Sequence, residues 1–214
     1  MLANRMRMAA SGVSAGGDWW DISGRTCIGA WAGKGAASQA ASYTDLSGTG
    51  NDLTETKSPD GWNSTDGWIF AGAGPYLETG ILPTATSSMA IRFTNATTNS
   101  SMACGSYSAV GSTRFAIYVR HSSGHYWEMG GNVLVATQLV SGVGAISGNQ
   151  GYLDGTADGG TTGAWSGVAT QTIALGARNG TADAAHLYAQ AFVVYSDTLT
   201  SQNHIDLAAA MAAL

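Results

Sequence analysis

From Trp19 to the last dozen positions the chain is interrupted every few residues by clusters of Gly, Ser, Asn and Asp. No stretch between these clusters is long enough for the crossover helix that a parallel strand pair needs. The apolar runs are short and alternate with a period of two. In Ser88–Thr94, Met89, Ile91 and Phe93 fall on one face, and Ser88, Ala90, Arg92 and Thr94 on the other. That alternation is the mark of a half-buried antiparallel strand. Thr113–Arg120 repeats it, with Phe115, Ile117 and Val119 inward and Arg114, Tyr118 and Arg120 outward. Further strands are expected over 26–31, 67–70, 76–78, 102–107, 125–129, 133–137, 143–147, 171–175 and 187–195. About eleven short strands at near-regular spacing make an all-β, two-sheet antiparallel sandwich the expected fold.

Two local signals refine that picture. Asp154-Gly155, flanked by strand-type residues, predicts a two-residue hairpin, because both central positions favour positive φ. Near the end, Thr200 or Ser201 can cap a short C-terminal helix over the run IDLAAAMAAL, with Ile205, Ala208, Ala209 and Ala212 as its apolar face. Residues 1–18 differ from the rest. MLANRMRMA suffices for two helical turns, which are marginal in water unless they dock on something, and SGVSAGGD is a flexible connector. Residues 8–17 are too small and polar for the core of a signal peptide, so the segment is expected to be retained. The expected division is an N-terminal extension over 1–18, acting as an attachment or oligomer arm through Arg5 and Arg7, and a β-domain over 19–214. Trp19 and Trp20, next to the arm, are expected to anchor it to a neighbouring subunit.

Composition narrows the partners. Charged residues are 11% of the chain, less than half the usual share of about 25%, so little like-charge repulsion opposes self-association. Nine basic residues face 14 acidic ones, and Lys34 and Lys57 are the only lysines. Phosphate backbones need clustered Lys and Arg, so no nucleic-acid partner is expected. No apolar window approaches membrane-spanning length, so no membrane span is expected. Cys27 and Cys104 lack CxxC spacing and are either small buried hydrophobes or a single bridge.

Four phrases, in order, resemble the concanavalin A-like, laminin-G-like jelly-roll superfamily. Residues 45–52, DLSGTGND, resemble its DLSGNGN loop. Residues 68–72 followed by 75–80, WIFAG and PYLETG, resemble its F-N-G-x-x-x-Y-L strand pair. Residues 152–155, YLDG, resemble its Y-V-N-G hairpin, and residues 194–200, VYSDTLT, resemble its closing Y-N-x-x-L-T turn into a helix. The resemblance spans roughly residues 26–214 and implies a jelly-roll sandwich. The stretch from Ala36 to Tyr43 is also similar to segments of bacteriophage and prophage structural proteins.

Catalytic motifs are sparse. Retaining glycan hydrolases of that superfamily resemble one another in an E-x-D-x-x-E strand, which sets two carboxylates about 5–5.5 Å apart. Here Glu55, Glu78 and Glu128 are scattered, and only Glu55 has a nearby acid, Asp52. No G-x-S-x-G elbow is present. His121 and His125 are expected to bracket a hairpin rather than form a zinc pair. Asp45, Asn51 and Asp52 suit tight-turn architecture; a calcium site there would need six to eight converging oxygens, so no cofactor is expected and calcium is a weak alternative. Aromatics are the remaining candidates. Trp62 and Trp165 sit in Gly/Ser/Asp-rich loops, and Tyr126 and Trp127 flank Glu128; flat rings of this kind stack on sugar C–H groups. The expected function is a non-enzymatic phage virion accessory protein: a head fibre, decoration or tail-associated jelly roll. It would be a homo-oligomer, such as a trimer, on the virion surface or otherwise extracellular. It would join other virion proteins through the arm and contact host-surface glycan. The alternatives are a carbohydrate-binding module outside a virion and, third, a glycan-cleaving enzyme.

Overall fold

The computed structural model describes residues 19–72, 74–97, 101–108, 111–121, 124–177 and 185–214. Arg5 and Arg7 lie outside them. Alternation along each strand sorts side chains onto two faces, and the strands stack as two antiparallel sheets.

Sheet A runs in the order β13 (Thr156–Thr161), β12 (Gln150–Leu153), β11 (Gly142–Ser147), β6 (Ser88–Thr94), β15 (His186–Tyr195), β4 (Gly67–Ala71) and β3 (Gly61–Asn63), with β1 (Cys27–Ala32) also paired to β15. Sheet B runs β10 (Asn132–Val135), β9 (Gly124–Met129), β8 (Phe115–His121), β7 (Ser101–Ser106), β14 (Ala174–Leu175), β5 (Tyr76–Glu78) and β2 (Thr54–Lys57). Helix α1 (Gln39–Ser42) is one turn, and α2 (Ser201–Ala212) closes the chain. The expected all-β sandwich and C-terminal helix are both present. Strands β2 and β3, short and rich in Gly, Asn and charge, escape a hydrophobic-period reading.

The Asp154-Gly155 turn joins β12 to β13 with φ of +48° and +81°, and the Asp154 carboxylate accepts from the Val143 N–H at 2.8 Å. His121 and His125 do bracket the β8–β9 connection, one at the end of β8 and the other near the start of β9.

The apolar side chains form two layers. Between the sheets lie Trp31, Trp68, Phe70, Met89, Ile91, Phe93, Phe115, Ile117, Trp127 and Phe192. Outside sheet A, a second layer joins Ala90, Val143, Tyr152, Val193 and Tyr195 to Leu207, Ala208 and Met211 of α2 and to Trp19 and Ile22. Strand β6 is therefore covered on both faces rather than one: Ala90 is buried in this outer layer, and Arg92 donates to the Met211 carbonyl at the C-terminal end of α2 (2.5 Å). Thr200 caps α2 in a capping box with Asn203. The buried face is His204, Leu207, Ala208 and Met211, whereas the expected Ile205 is 50% exposed. The i, i+3, i+4, i+7 spacing holds, but a histidine occupies its first position.

Both cysteines are free thiols. Cys104 is fully buried, and burial pushes the Cys27 thiol up to about 12. Among the described residues, no helix is long and apolar enough to cross a membrane.

Candidate functional site

The outer face of sheet B carries the exposed aromatic cluster. Phe115, Ile117, Trp127 and Met129 point into the core, so alternation turns Ala116, Tyr118, Tyr126 and Glu128 outward. Register places Leu134 opposite Tyr126 and Tyr126 opposite Tyr118. This gives a row across β10, β9 and β8. His121 lies edge-on to Tyr126, with ring centroids 4.6 Å apart, and is 6.0 Å from Tyr118. Leu134 is 46% exposed, and the three rings are half-buried. The edge-to-face packing fixes the rings, so a contact made there would lose little side-chain freedom.

The next row is polar at its ends and small in its middle. Asn132, Glu128, Ala116, Gly105, Ala174 and Glu78 stand side by side across five inter-strand pairings. A Cβ at Gly105 would meet the Phe115 carbonyl oxygen at 2.3 Å, so only glycine fits. Ala116 and Ala174 are fully buried, and Glu128 is 6% exposed. Glu128 pairs with Arg114 at 3.3 Å, whose guanidinium lies 4.0 Å above the Tyr107 ring. Four strand spacings separate Glu128 from Glu78, about 19 Å in all. A glycosidic acid pair requires about 5–9.5 Å, so these two carboxylates cannot work on one bond.

The other sequence candidates are placed as follows. Trp127 is fully enclosed between the sheets, and its Nε1–H donates to Asp158 at 3.2 Å. It offers no surface to a ligand; the strand alternation that exposes Tyr126 buries its neighbour. Trp62 lies on edge strand β3 rather than in a loop, half-buried against the inter-sheet core, its Nε1–H donating to the Gly33 carbonyl (2.8 Å). Trp165 is also half-buried on that core and donates to the Gly167 carbonyl (3.1 Å). Trp19 is 3% exposed and packs with Ile22 and Tyr195 in the outer layer of its own domain. It is a core residue whose apolar surface is covered within its own domain, unlike the exposed anchor that the sequence leads one to expect.

Asp45, the central residue of the calcium alternative, is committed to hydrogen bonds with its own loop and β1. Asp45 Oδ1 accepts from the Ala30 N–H and from the Ser47 N–H and hydroxyl, while Oδ2 accepts from the Thr49 N–H and hydroxyl and from the N–H groups of Gly50 and Asn51. Burial alone would raise this carboxyl; the Ala30, Ser47 and Thr49 hydrogen bonds outweigh it and hold it down at about 2. Asp52 accepts from the Asp45 N–H, and the Asn51 amide donates to the Ile28 carbonyl. The DLSGTGND loop is a turn wrapped around the Asp45 carboxylate, whose two oxygens already accept seven hydrogen bonds. Among the described residues, no group of three His, Cys, Asp or Glu side chains converges on one point.

The sequence missed the Tyr118–His121 part of the patch and the Arg114–Glu128 pair. Tyr118 stood among the outward positions of the Thr113–Arg120 alternation, with His121 one residue past its end; the second needed the β8–β9 register.

No family model matches the chain, and no curated protein matches it. Solved structures do share its fold. Domain 4 of AbnA, an extracellular arabinanase from Geobacillus stearothermophilus in complex with arabinotriose, aligns with a TM-score of 0.59 at 15% identity, over 86% of this chain and 98% of that one. A Trypanosoma rangeli sialidase aligns with a TM-score of 0.60 at 13% identity, over 85% of this chain and 32% of the sialidase. The chain thus matches about a third of the sialidase and nearly all of the arabinanase domain. At these identities the likeness is one of fold.

Proposed function

We propose that this domain is a non-enzymatic β-sandwich that grips carbohydrate on the Leu134–Tyr126–His121–Tyr118 face of sheet B. The observation that carries the reading is the locked, part-exposed aromatic row beside the Glu128–Arg114 pair. Aromatic faces bind sugar C–H groups, and a few convergent polar groups select hydroxyls. The shared fold supports it: the AbnA domain was solved with arabinotriose. Residues 1–18 serve as the arm that fastens the domain to a larger extracellular assembly. The low charge and the likeness to phage structural proteins favour a virion surface, with glycan adhesion to the host as its use.

A glycan array tests the reading. The full-length chain is expected to bind defined neutral glycans, and Tyr126→Ala and Tyr118→Ala to lower the signal at least tenfold while the melting temperature stays close to that of the parent. An array without hits, or hits indifferent to both substitutions, would remove it.

A further inference from the structure

Outside sheet A, away from the aromatic row, lies an open cleft of about 570 Å³. That is within the usual range of about 300–1,000 Å³ for small-molecule sites. It is built from two separate segments, Trp20 to Cys27 and Leu46-Ser47, so it exists only when the 45–52 loop and β1 are folded together.

Its groups are held in place from behind. The Trp20 carbonyl accepts from the buried Tyr195 hydroxyl at 2.8 Å and from the Ile22 N–H at 3.0 Å. The Trp20 ring stands edge-on to the buried Trp19 ring, with centroids 5.6 Å apart. The Arg25 Nε–H donates to Asn203 Oδ1 at 3.0 Å, and Asn203 is itself locked in the capping box of α2. This leaves the terminal guanidinium nitrogens of Arg25, and the exposed Asp21 carboxylate, with no hydrogen-bond partner among the described residues. The cleft therefore presents one indole and one donor fork, both held before any ligand arrives, and one free acceptor pair on the exposed Asp21. Burial pushes the Cys27 thiol at the edge of the cleft up to about 12, so it stays protonated at neutral pH.

The balance of charge selects the ligand. Asp21 opposes an anion and Arg25 opposes a cation, whereas a neutral ring with adjacent hydroxyls can donate to the carboxylate, accept from the guanidinium and lay its C–H face on Trp20. We infer that this cleft is a second carbohydrate site, specific for a neutral sugar ring and independent of the aromatic row on sheet B. A chain with two such sites on different faces would gain affinity for a glycan-coated surface through effective concentration.

Isothermal titration of the full-length chain with arabinotriose, cellotriose and free sialic acid tests this. A neutral trisaccharide is expected to bind and sialic acid to bind at least tenfold more weakly. Asp21→Asn and Arg25→Gln each should weaken the neutral sugar at least tenfold, and Tyr126→Ala should leave that binding event intact. Trp20→Ala should also abolish it; the two polar variants keep the test valid if that variant fails to fold. Absence of binding by either trisaccharide, or binding lost in Tyr126→Ala and unaffected by Asp21→Asn and Arg25→Gln, would overturn the inference. In the latter case the sheet B reading stands while this one falls. Loss confined to the Asp21 and Arg25 variants supports this one and counts against the other.

Discussion

Gly151 lies directly against the Trp127 indole: a Cβ at Gly151 would sit 2.0 Å from its Cγ. The glycine on β12 is what allows the ring from β9 to lie flat between the sheets, with Gly144 of neighbouring β11 in ordinary contact beyond it. Neither atom of that clash is the far end of a flexible chain. Gly151→Ala is expected to destabilise the fold by about 2–3 kcal/mol through overpacking, read as a lower denaturant midpoint. An unchanged midpoint would show that Trp127 is not held in this slot.

Tyr126 and Trp127 are adjacent yet face opposite ways. Trp127→Ala should cost about 3–5 kcal/mol, the range for removing a buried aromatic. Tyr126→Ala should stay within about 1 kcal/mol of the parent in chemical denaturation while reducing glycan contact. Equal losses of stability from the two would contradict the alternation of β9.

Asp45 organises its loop from the centre. Asp45→Ala leaves the N–H groups of Ala30, Ser47, Thr49, Gly50 and Asn51 without their acceptor, for an expected loss of about 3 kcal/mol. The folded carboxyl titrates at about 2, below its ordinary 3.8. The stabilisation is therefore complete above about pH 4 and is lost as the pH falls from there toward 2. Acid titration of the parent against Asp45→Asn checks this: only the parent should show that component.

His204 acts in a different window. It is 1% exposed and stacked on Tyr152 at 3.7 Å, and neither ring nitrogen has a partner among the described residues. Burial lowers it from 6.5 to about 4. Between those values the unfolded chain binds more protons than the folded one, so stability falls as the pH drops from about 6.5 to 4 and then levels off. Integrated, the effect is on the order of 3 kcal/mol. His204→Phe should flatten the stability profile over that interval, measured by urea titrations at successive pH values; a slope that survives the substitution would assign the effect elsewhere.

If residues 1–18 are the proposed attachment arm, their deletion should leave a folded sandwich with unchanged circular dichroism and abolish attachment. The cut must precede Trp19, whose ring packs in the outer layer. Unfolding of the truncated chain would dissolve the division between arm and domain.

Periodicity and turn chemistry are local properties, and these were legible in the chain itself. The alternation of Met89, Ile91 and Phe93, the Asp154-Gly155 turn and the Thr200 cap act over a few residues, so the sequence alone determined an antiparallel β-sandwich closed by a helix. Which tryptophan is a wall and which is a surface was decided only by tertiary structure. Trp127, Trp62 and Tyr126 look alike as flat apolar rings in a row of residues. Their fates depend on which sheet face each strand turns inward and on the glycines opposite, such as Gly151, that make room for a ring. The Trp20 cleft likewise joins segments some twenty positions apart, and the Arg25–Asn203 bond spans 178. Contacts at such separations depend on how the sheets stack, and no local pattern encodes them.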